Sequence, residues 1–424
     1  MRLFVSDVED PQVMTGIAEI GIDRLASPEV VENPYPAYAR FREASPLAGY
    51  RDWPPGTVPG ADEPVDAWAL FKYEDVMEAV KDPETFSSRD PLQEASSAPS
   101  LMLVNHDAPD HTKLRKIVNL AFSPRRVNAL EDWLAGMMPS LLDELGEGEV
   151  DAMTVAPEVP ARGMVRLLGL DEGDHERFHF WANAFMLSSD MAPEERAASN
   201  QEMWQVFAGH VDRRMSELPT STDASVDDAQ DLIGALVRAE VDGERFTIEE
   251  IIRFCVTLVV AGTETTTYLI GNVLDALARF PEAVAEVRAD RSLLGRFIEE
   301  TMRLNGPPQR LFRIATRDTE LGGKRIRQGD WVALFFAAAN RDPAVFPDPD
   351  AFDLHRPNVR KQLALGHGVH FCLGAVLARL EVSCIANAFL DRFSVIRHGE
   401  TPPVKQTATL LQHGFLTLPL HVER

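Results

Sequence analysis

Cysteine is scarce in this chain of 424 residues, which contains only Cys255, Cys372 and Cys384. Three cysteines do not make a disulfide framework, and they fit a reducing compartment. Long apolar runs are also missing: the longest, Phe254 to Ala261, is far shorter than the roughly 20 residues that span a bilayer. No signal peptide or anchor is evident after Met1. We therefore expect a soluble protein of the cytoplasm.

Internal repeats and low-complexity linkers are absent from the sequence as well. Short stretches rich in proline, serine and aspartate, at about 88–100 and 218–229, are typical of surface loops. Length alone suggests two or three domains, but no linker marks a boundary between them. With 45% hydrophobic residues, the chain can bury a large core.

Positive charge is in deficit, since 42 Lys and Arg residues face 66 Asp and Glu residues for a net charge of −24. This balance argues against a nucleic-acid partner, which requires a basic surface. Two local groups of basic residues depart from it: Lys113, Arg115, Lys116, Arg125 and Arg126, and then Arg360 with Lys361. Such a group could dock an acidic partner or form a solvated helix face, and both interpretations stay open.

The segment around Cys372 carries the strongest chemical signal. It reads LGHGVHFCLG at residues 365–374, with glycines on both sides of the cysteine. Residues 375–381 favour a helix, so the cysteine is expected at a helix N-terminus, where the helix dipole favours an anion. A thiolate held there can be the ligand of a haem iron. The alternative is a buried structural cysteine beside a glycine-rich turn.

A long helix is predicted upstream of this segment. Thr247 can cap it, Glu250 can complete a capping box, and Phe246 can pack on Ile251 as a hydrophobic staple. Since the next stop signal is Pro281, the helix should run for about 32 residues, or roughly 48 Å, and apolar residues on most sides predict that it is buried.

The middle of this helix, AGTETTT at residues 261–267, is a weak helix-forming sequence. Gly262 removes a side chain, so that a ligand can approach the backbone. Glu264 and Thr265 offer an acid and a hydroxyl that can relay protons, and a carboxylate inside a buried helix needs a partner or a role. A helix kink with a satisfied buried glutamate is the alternative.

Both segments resemble motifs of the cytochrome P450 family. The family's haem-binding loop has the pattern Phe-Gly-x-Gly-x-His/Arg-x-Cys-x-Gly, and residues 365–374 match every fixed position except the first, where Leu365 replaces phenylalanine. Residues 261–265 match every fixed position of the family's oxygen-binding pattern Ala/Gly-Gly-x-Asp/Glu-Thr. The resemblance extends from about residue 30 to the C-terminus.

The resemblance implies a mainly α fold, with a large helical domain, a small β-rich region, and haem between the long helix and the cysteine loop. It implies one domain over residues 1–424, in which 1–29 form an irregular N-terminal segment. Alternating residues from Asp318 to Trp331 and from Leu410 to Leu418 are typical of short strands.

The same resemblance implies haem b with the Cys372 thiolate as its metal ligand. The implied cofactor-binding residues are Gly366 and Gly374 in the loop, and His111, Arg115, Arg313 and His370 as partners of the propionates. Ala261, Gly262, Glu264 and Thr265 are the implied catalytic residues. Glu300, Arg303 and Arg356 have an implied structural role in supporting the haem loop.

By resemblance, the substrate pocket is expected near residues 88–104, 183–190, 256–261, 308–312 and 409–413. Its apolar residues would be Leu101, Met102, Leu103, Phe185, Met186, Leu311, Leu410 and Leu411, with Gln309, Arg310 and Gln412 as polar contacts. This content predicts a mostly apolar small molecule.

The function implied is a haem-thiolate monooxygenase that modifies a secondary metabolite by hydroxylation, epoxidation or demethylation. The sequence contains no G-x-G-x-x-G after a strand and no cysteine-rich iron–sulfur run, so electrons are expected from ferredoxin and ferredoxin reductase. Lys113, Lys116 and Arg126 are the candidate docking site. An inactive scaffold of the same fold is a non-catalytic alternative.

A rival from another class is the sequence HERFH, which matches the zinc-protease motif H-E-x-x-H at His175, Glu176 and His179. A third ligand could be Glu194, Glu195 or Glu202. The helix continues without the further glycine and histidine of metzincins, and a five-residue pattern with two free positions often arises by chance, so the zinc hypothesis is the weaker one.

Overall fold

The structure, a computed structural model, describes residues 21–51, 66–89, 101–185, 191–217 and 225–424. Several sequence-based expectations lie outside these residues. They concern the first 20 residues, most of the loops at 88–100 and 218–229, and the pocket residue Met186.

Helices make up most of the described chain, as the resemblance implies. They are α1 (Pro28–Glu32), α2 (Tyr35–Arg42), α3 (Tyr73–Lys81), α4 (Asp110–Ala121), α5 (Pro124–Asn128), α6 (Glu131–Leu145), α7 (Glu158–Leu168), α8 (His175–Phe185), α9 (Pro193–Ser216), α10 (Leu232–Arg238), α11 (Ile248–Arg279), α12 (Pro281–Ala289), α13 (Leu294–Asn305), α14 (Phe336–Ala339) and α15 (Ala375–Arg392).

The strands are short. They are β1 (Leu47–Tyr50), β2 (Ala67–Leu70), β3 (Phe86–Ser87), β4 (Gly148–Asp151), β5 (Glu240–Val241), β6 (Glu244–Arg245), β7 (Leu311–Ala315), β8 (Thr319–Leu321), β9 (Lys324–Ile326), β10 (Trp331–Leu334), β11 (Val395–His398), β12 (Val404–Lys405), β13 (Phe415–Thr417) and β14 (Pro419–Glu423). The largest sheet has the order β1-β2-β10-β7-β3, and β10 runs parallel to β2 and antiparallel to β7.

The long helix α11 begins as predicted. The Thr247 hydroxyl accepts a bond from the Glu250 N–H at 3.2 Å, and Glu250 Oε2 accepts one from the Thr247 N–H at 2.7 Å. These reciprocal bonds form the capping box. The helix spans 32 residues and ends immediately before Pro281, which confirms the predicted stop.

Helix α11 is the centre of the helical region, because α7, α8, α9, α13 and α15 all pack against it. Its length and composition would allow it to cross a membrane, but 78% of its most apolar window is buried inside the protein. It is therefore the core helix of the fold. Packing against α15 places it beside the helix that follows Cys372.

The two strand predictions had different outcomes. Residues from Asp318 to Trp331 contain the hairpin β8–β9 and the first residue of β10, as expected. Of Leu410 to Leu418, only Phe415–Thr417 is a strand. The preceding residues are irregular because side chains bond their backbone: Gln406 donates to the Thr409 carbonyl at 2.9 Å, and the Thr409 hydroxyl accepts from the Leu411 N–H at 3.0 Å.

Candidate active site

The cysteine loop is closed by a backbone hydrogen bond in which the Cys372 N–H donates to the Leu365 carbonyl at 2.9 Å. Gly366 and Gly368 have φ values of +70° and +69°, a region in which a side chain is costly. A Cβ on Gly368 would also lie 3.3 Å from the carbonyl oxygen of Val80. Glycines are therefore required for this turn, and α15 begins three residues after the cysteine, as predicted.

Cys372 lies just before the N-terminal end of α15 and is partly exposed. Burial raises the pKa of the Cys372 thiol, whereas the Gly374 N–H bond and the positive charges of Arg115 and Arg379 lower it. The cations and the N–H group together favour a thiolate, and a coordinated metal ion deprotonates a thiol outright.

A cluster of basic groups lies beside the cysteine loop. The imidazole rings of His111 and His370 have centroids 4.3 Å apart, and Arg115 Nη2 donates to the Phe371 carbonyl at 2.9 Å. Burial, and then the charges of Arg313 and His111, lowers the pKa of His370 to about 3. The positive charges that lower this pKa favour an anion at the site.

Two members of the cluster have unmet bonding capacity. Arg313 is only 8% exposed, and its Nη1 donates to the Phe312 carbonyl at 2.7 Å, while burial lowers its pKa to about 10. His111 is 4% exposed and its Nε2 has no hydrogen-bond partner. A buried guanidinium and an orphaned imidazole nitrogen fit a carboxylate-bearing ligand such as haem with its two propionates.

Ser88 and Asp107 complete this cluster, and no sequence motif singles out either residue. Ser88 Oγ lies 3.0 Å from His370 Nε2, and the Ser88 N–H donates to Asp107 Oδ1 at 2.9 Å. The negative charge of Asp107 raises the pKa values of Arg313 and His370, which counteracts the lowering of both values by burial. Ser88 therefore contacts the His370 ring directly, and Asp107 holds Ser88.

The central helix has one accessible window. Helix α11 is buried from Thr257 to Val260 and again from Thr266 to Leu277, but Ala261 is exposed, and Gly262, Glu264 and Thr265 are partly exposed. The residues predicted to be catalytic therefore line an open space on an otherwise buried helix. A Cβ on Gly262 would lie 2.6 Å from the flexible end of Met164.

The threonine hydroxyls of this window donate to backbone carbonyls of the same helix. Thr265 Oγ1 donates to the Ala261 carbonyl at 2.7 Å, and Thr263 Oγ1 donates to the Val259 carbonyl at 2.8 Å. Each hydroxyl donates its proton to a helix carbonyl, and its oxygen lone pairs remain able to accept a hydrogen bond. Thr265 therefore can accept a hydrogen bond in the window, while Thr263 is only 2% exposed.

Glu264 is not a satisfied structural carboxylate. Its Oε1 accepts a hydrogen bond from the Tyr268 hydroxyl at 3.3 Å, and its Oε2 is buried without a partner. Burial raises the pKa of Glu264, and the bond from Tyr268 lowers it. The sequence analysis missed Tyr268, although its spacing of four residues places it on the same helix face.

Glu300, Arg303 and Arg356 meet in the interior. Arg303 Nε lies 2.8 Å from Glu300 Oε2, and Arg356 Nε lies 2.9 Å from Glu300 Oε1. Asn340 connects them to the cysteine loop, since its carbonyl accepts from Arg303 at 3.0 Å and its Oδ1 accepts from the Leu363 N–H at 2.6 Å. This geometry matches the supporting role that the resemblance implies.

Residues 101–103 lie next to the window. The Met102 N–H donates to Thr257 Oγ1 of α11 at 2.8 Å, and Leu103 has a φ of +69°, which is uncommon for leucine. Leu101 is partly exposed, whereas Met102 and Leu103 are buried. This contact places the segment against the helix, where a pocket wall was expected.

Other predicted pocket residues lie elsewhere. Leu410 is fully buried in the cluster of Tyr38, Tyr50 and Phe335, away from any open space. Leu311 is exposed and Leu411 is partly buried, whereas the side chain of Phe185 and all of Met186 lie outside the described residues.

The polar contacts expected in the pocket are engaged inside the protein. Gln309 donates to the Gly306 carbonyl at 2.8 Å and accepts from a tyrosine hydroxyl, and Arg310 Nε donates to the Tyr50 hydroxyl at 3.0 Å. Gln412 is 7% exposed, and its Oε1 is buried without a partner. Of the three, only Gln412 keeps a free acceptor.

The first group of basic residues is not a single open patch. Lys113 pairs with Glu244, and Lys116 lies 3.9 Å from Asp242. Arg126 donates to the carbonyls of Ala121, Val226, Ala229 and Asp231. The Arg126 guanidinium therefore holds two segments of the chain together. It is not available as a cation of the docking site that the sequence suggested.

The candidate zinc ligands His175 and Glu202 lie beside other charged side chains. His175 Nε2 lies 3.8 Å from Glu158 Oε2, and Glu202 Oε1 lies 3.6 Å from Arg177 Nε. The candidate ligands Glu194 and Glu195 are exposed in the first turn of α9. The side chain of His179 lies outside the described part of the chain.

Within that described part, Asp171, Asp174 and His210 could hold a metal ion, since their ligand atoms lie within 4.8 Å of one another. The two aspartates form a capping box at the turn before α8, and Asp174 also accepts from Arg177 at 3.2 Å. Helix capping accounts for these carboxylates.

Comparison with known proteins identifies the family. The family described as Cytochrome P450 matches residues 174–422. Cyclomarin C epoxidase CymV of Salinispora arenicola is 36% identical over 350 residues, which cover 79% of this chain and 85% of that protein. Cytochrome P450 monooxygenase PikC of Streptomyces venezuelae is 35% identical over 370 residues, with coverages of 85% and 84%.

Among solved structures, that of cytochrome P450 CYP109Q5 from Chondromyces apiculatus superposes with a TM-score of 0.81 at 33% identity. The alignment covers 94% of this chain and 97% of that one. The fold and the site together define an oxidoreductase with a haem-thiolate cofactor, held by a cysteine. The chain belongs to the cytochrome P450 family of monooxygenases, and this membership replaces the zinc-peptidase alternative.

Proposed function

We propose that this cytoplasmic enzyme inserts one oxygen atom from O2 into a mostly apolar small molecule, a secondary metabolite. The observation that carries the proposal is the accessible window of α11, where Thr265 is partly exposed next to the buried carboxyl oxygen of Glu264. Haem, when bound, supplies the reductive activation of O2. Cys372 is the proposed ligand, and His111, Arg115, Arg313 and His370 are the proposed partners of the propionates.

The window residues have distinct proposed roles. Ala261 leaves space beside the helix for O2, and the missing side chain of Gly262 makes room for the end of Met164 next to it. Glu264 holds a proton at neutral pH more readily than an exposed glutamate, because burial raises its pKa. Thr265 can accept that proton when its own hydroxyl proton turns from the Ala261 carbonyl and is passed on toward the oxygen. Water joins the two side chains in this path.

Replacing Thr265 with alanine is expected to uncouple O2 consumption from product formation. The lost hydroxyl removes the acceptor next to the open space, so product formed per O2 consumed should fall on the order of tenfold or more. Measuring O2 uptake, hydrogen peroxide and product in parallel tests this.

Thr263→Ala is the matched control for this experiment. Its hydroxyl makes the same bond to the carbonyl four residues earlier, at 2.8 Å, but it is buried away from the window. Its coupling should stay near that of the parent enzyme. Full coupling in Thr265→Ala would remove the relay role of this hydroxyl.

The proposed electron donors are ferredoxin and ferredoxin reductase. Arg360 and Lys361 are exposed, and neither side chain has a partner among the described residues. They lie beside the first turn of α3, where the Tyr73 hydroxyl donates to the Lys361 carbonyl at 3.0 Å. The last turn of α3 meets the cysteine loop at Gly368. The structure thus favours these two cations over Lys113, Lys116 and Arg126 for docking an acidic ferredoxin.

Reversing both charges, with Arg360→Glu and Lys361→Glu, is expected to slow reduction by an acidic ferredoxin roughly tenfold at low salt. Substrate affinity should not change. The paired variant Lys113→Glu and Lys116→Glu is the control, because both lysines already face carboxylates. Stopped-flow reduction under carbon monoxide measures the rate, and an unchanged rate in the first variant would refute this docking site.

The substrate class follows from the few pocket residues that the structure supports. Leu101, Met102 and Leu103 are apolar, and the Met102 N–H bonds the window helix at Thr257. Gln412 is the polar group with a free acceptor. The relative CymV is named an epoxidase of cyclomarin C. Hydroxylation, epoxidation and demethylation are all compatible with this environment.

A further inference from the structure

Tyr268 makes a contact that the proposed mechanism does not yet use. It follows Glu264 by one helical turn, and its hydroxyl donates to Glu264 Oε1 at 3.3 Å. The other carboxyl oxygen, Oε2, is buried and has no partner. One oxygen of Glu264 is thus held and the other is left available.

The tyrosine ring is fixed by the C-terminal loop. Tyr268 is only 8% exposed, and a Cβ on Gly414 would lie 2.3 Å from Cγ of the ring. Only glycine leaves room for the ring at this position. The loop itself is attached to the same helix one turn later, because Asn272 Nδ2 donates to the His413 carbonyl at 3.2 Å.

The Tyr268 phenol stays protonated here, so it can donate a hydrogen bond to Glu264. Burial and then the charge of Glu264 raise the pKa of Tyr268 far above its usual range, so its proton stays in place. Its bond favours the ionised form of Glu264, whereas burial favours the neutral form. Among the described residues, Tyr268 is the side chain that opposes burial at this carboxyl.

We propose that Tyr268 is a positioning residue of the proton path: it holds Glu264 Oε1 so that Oε2 is the oxygen that exchanges the proton. The inference rests on the proposed relay through Glu264 and Thr265. It also gives the C-terminal loop a role, because Gly414 leaves the room in which the Tyr268 ring of α11 is held.

The test is a pH titration of Glu264 in the Tyr268→Phe variant. The infrared carboxyl stretch of the resting enzyme is the signal that is monitored. The Glu264 band is identified as the one that Glu264→Gln removes. Loss of a bond that favours the ionised form raises the pKa, so the midpoint should move to higher pH. The band of Glu381, another buried carboxyl whose pKa burial raises well above its usual range, should not move.

Tyr38→Phe is the matched control, since it also removes a buried phenol, one that donates to Gln309 at 3.2 Å. It should leave the Glu264 band in place. An unchanged or lower Glu264 midpoint in Tyr268→Phe would overturn the inference.

Coupling measurements separate this inference from the proposed relay. Tyr268→Phe should reduce product per O2 about twofold to tenfold, as expected for one lost hydrogen bond. Adding it to Glu264→Gln should cause no further loss, because Tyr268 acts through that carboxyl. A further loss in the double variant contradicts the inference alone, whereas full coupling in Glu264→Gln refutes the relay itself.

Discussion

Replacing Glu300 with glutamine is expected to cost about 3–5 kcal/mol of unfolding free energy, the usual effect of removing one partner from a buried ion pair. The side chain of Glu300 is 0% exposed, and those of Arg303 and Arg356 are 0% and 3% exposed. Glutamine keeps the size of the side chain but leaves two buried guanidinium groups without a counter-charge. The backbone N–H of Asp353, which donates to Glu300 Oε1 at 3.0 Å, would keep an acceptor.

Urea unfolding followed by circular dichroism measures this loss. Glu286→Gln is the matched control, because it breaks a surface pair in which His355 Nε2 lies 2.7 Å from a carboxylate that is half exposed. Such pairs contribute about 1 kcal/mol or less. If Glu300→Gln costs no more than this control, the buried ion pairs do not stabilise the fold as argued.

The second large effect is expected at Cys372. Cys372→Ser removes the thiolate, so the reduced protein with carbon monoxide should lose the strongly red-shifted Soret band completely and product formation should fall below detection. Serine is similar in size to cysteine and should leave the loop unchanged, so the variant reports the contribution of the sulfur atom to the spectrum. The spectrum after dithionite reduction is the direct measurement.

Cys384→Ser serves as the control for this experiment. Cys384 lies on α15, the helix that follows Cys372, and is also partly buried, so its replacement should leave the red-shifted band intact. Persistence of that band in Cys372→Ser would exclude this cysteine as the ligand.

Local patterns made much of the fold predictable. The capping box of Thr247 and Glu250 depends on residues three apart, and the stop at Pro281 depends on one residue, so both could be read directly. The cysteine loop was equally readable, because the positive φ values at Gly366 and Gly368 require glycine within one short motif.

Contacts between distant parts of the chain could not be read in this way. Arg126 belongs to a basic segment, yet its guanidinium bonds the carbonyl of Ala229, 103 residues later. Leu410 has the composition of a pocket residue, but packing beside Tyr38 and Phe335 buries it in another cluster. The partner of Glu264 was available from spacing alone, whereas the fit of Tyr268 against Gly414 required the tertiary structure. The single-domain assignment stays a prediction.

The carbonyls of Asn340, Pro347, Pro349 and Ala351 all accept hydrogen bonds from Arg303 or Arg356. The stretch 340–351 is therefore held by two arginine side chains and not by a continuous series of backbone hydrogen bonds that could break one after another. It should open as one cooperative unit. Because Asn340 also holds the Leu363 N–H ahead of the cysteine loop, that opening would release the loop while the helices stay folded. Hydrogen exchange should then report a single opening free energy for both segments, well below that of α11.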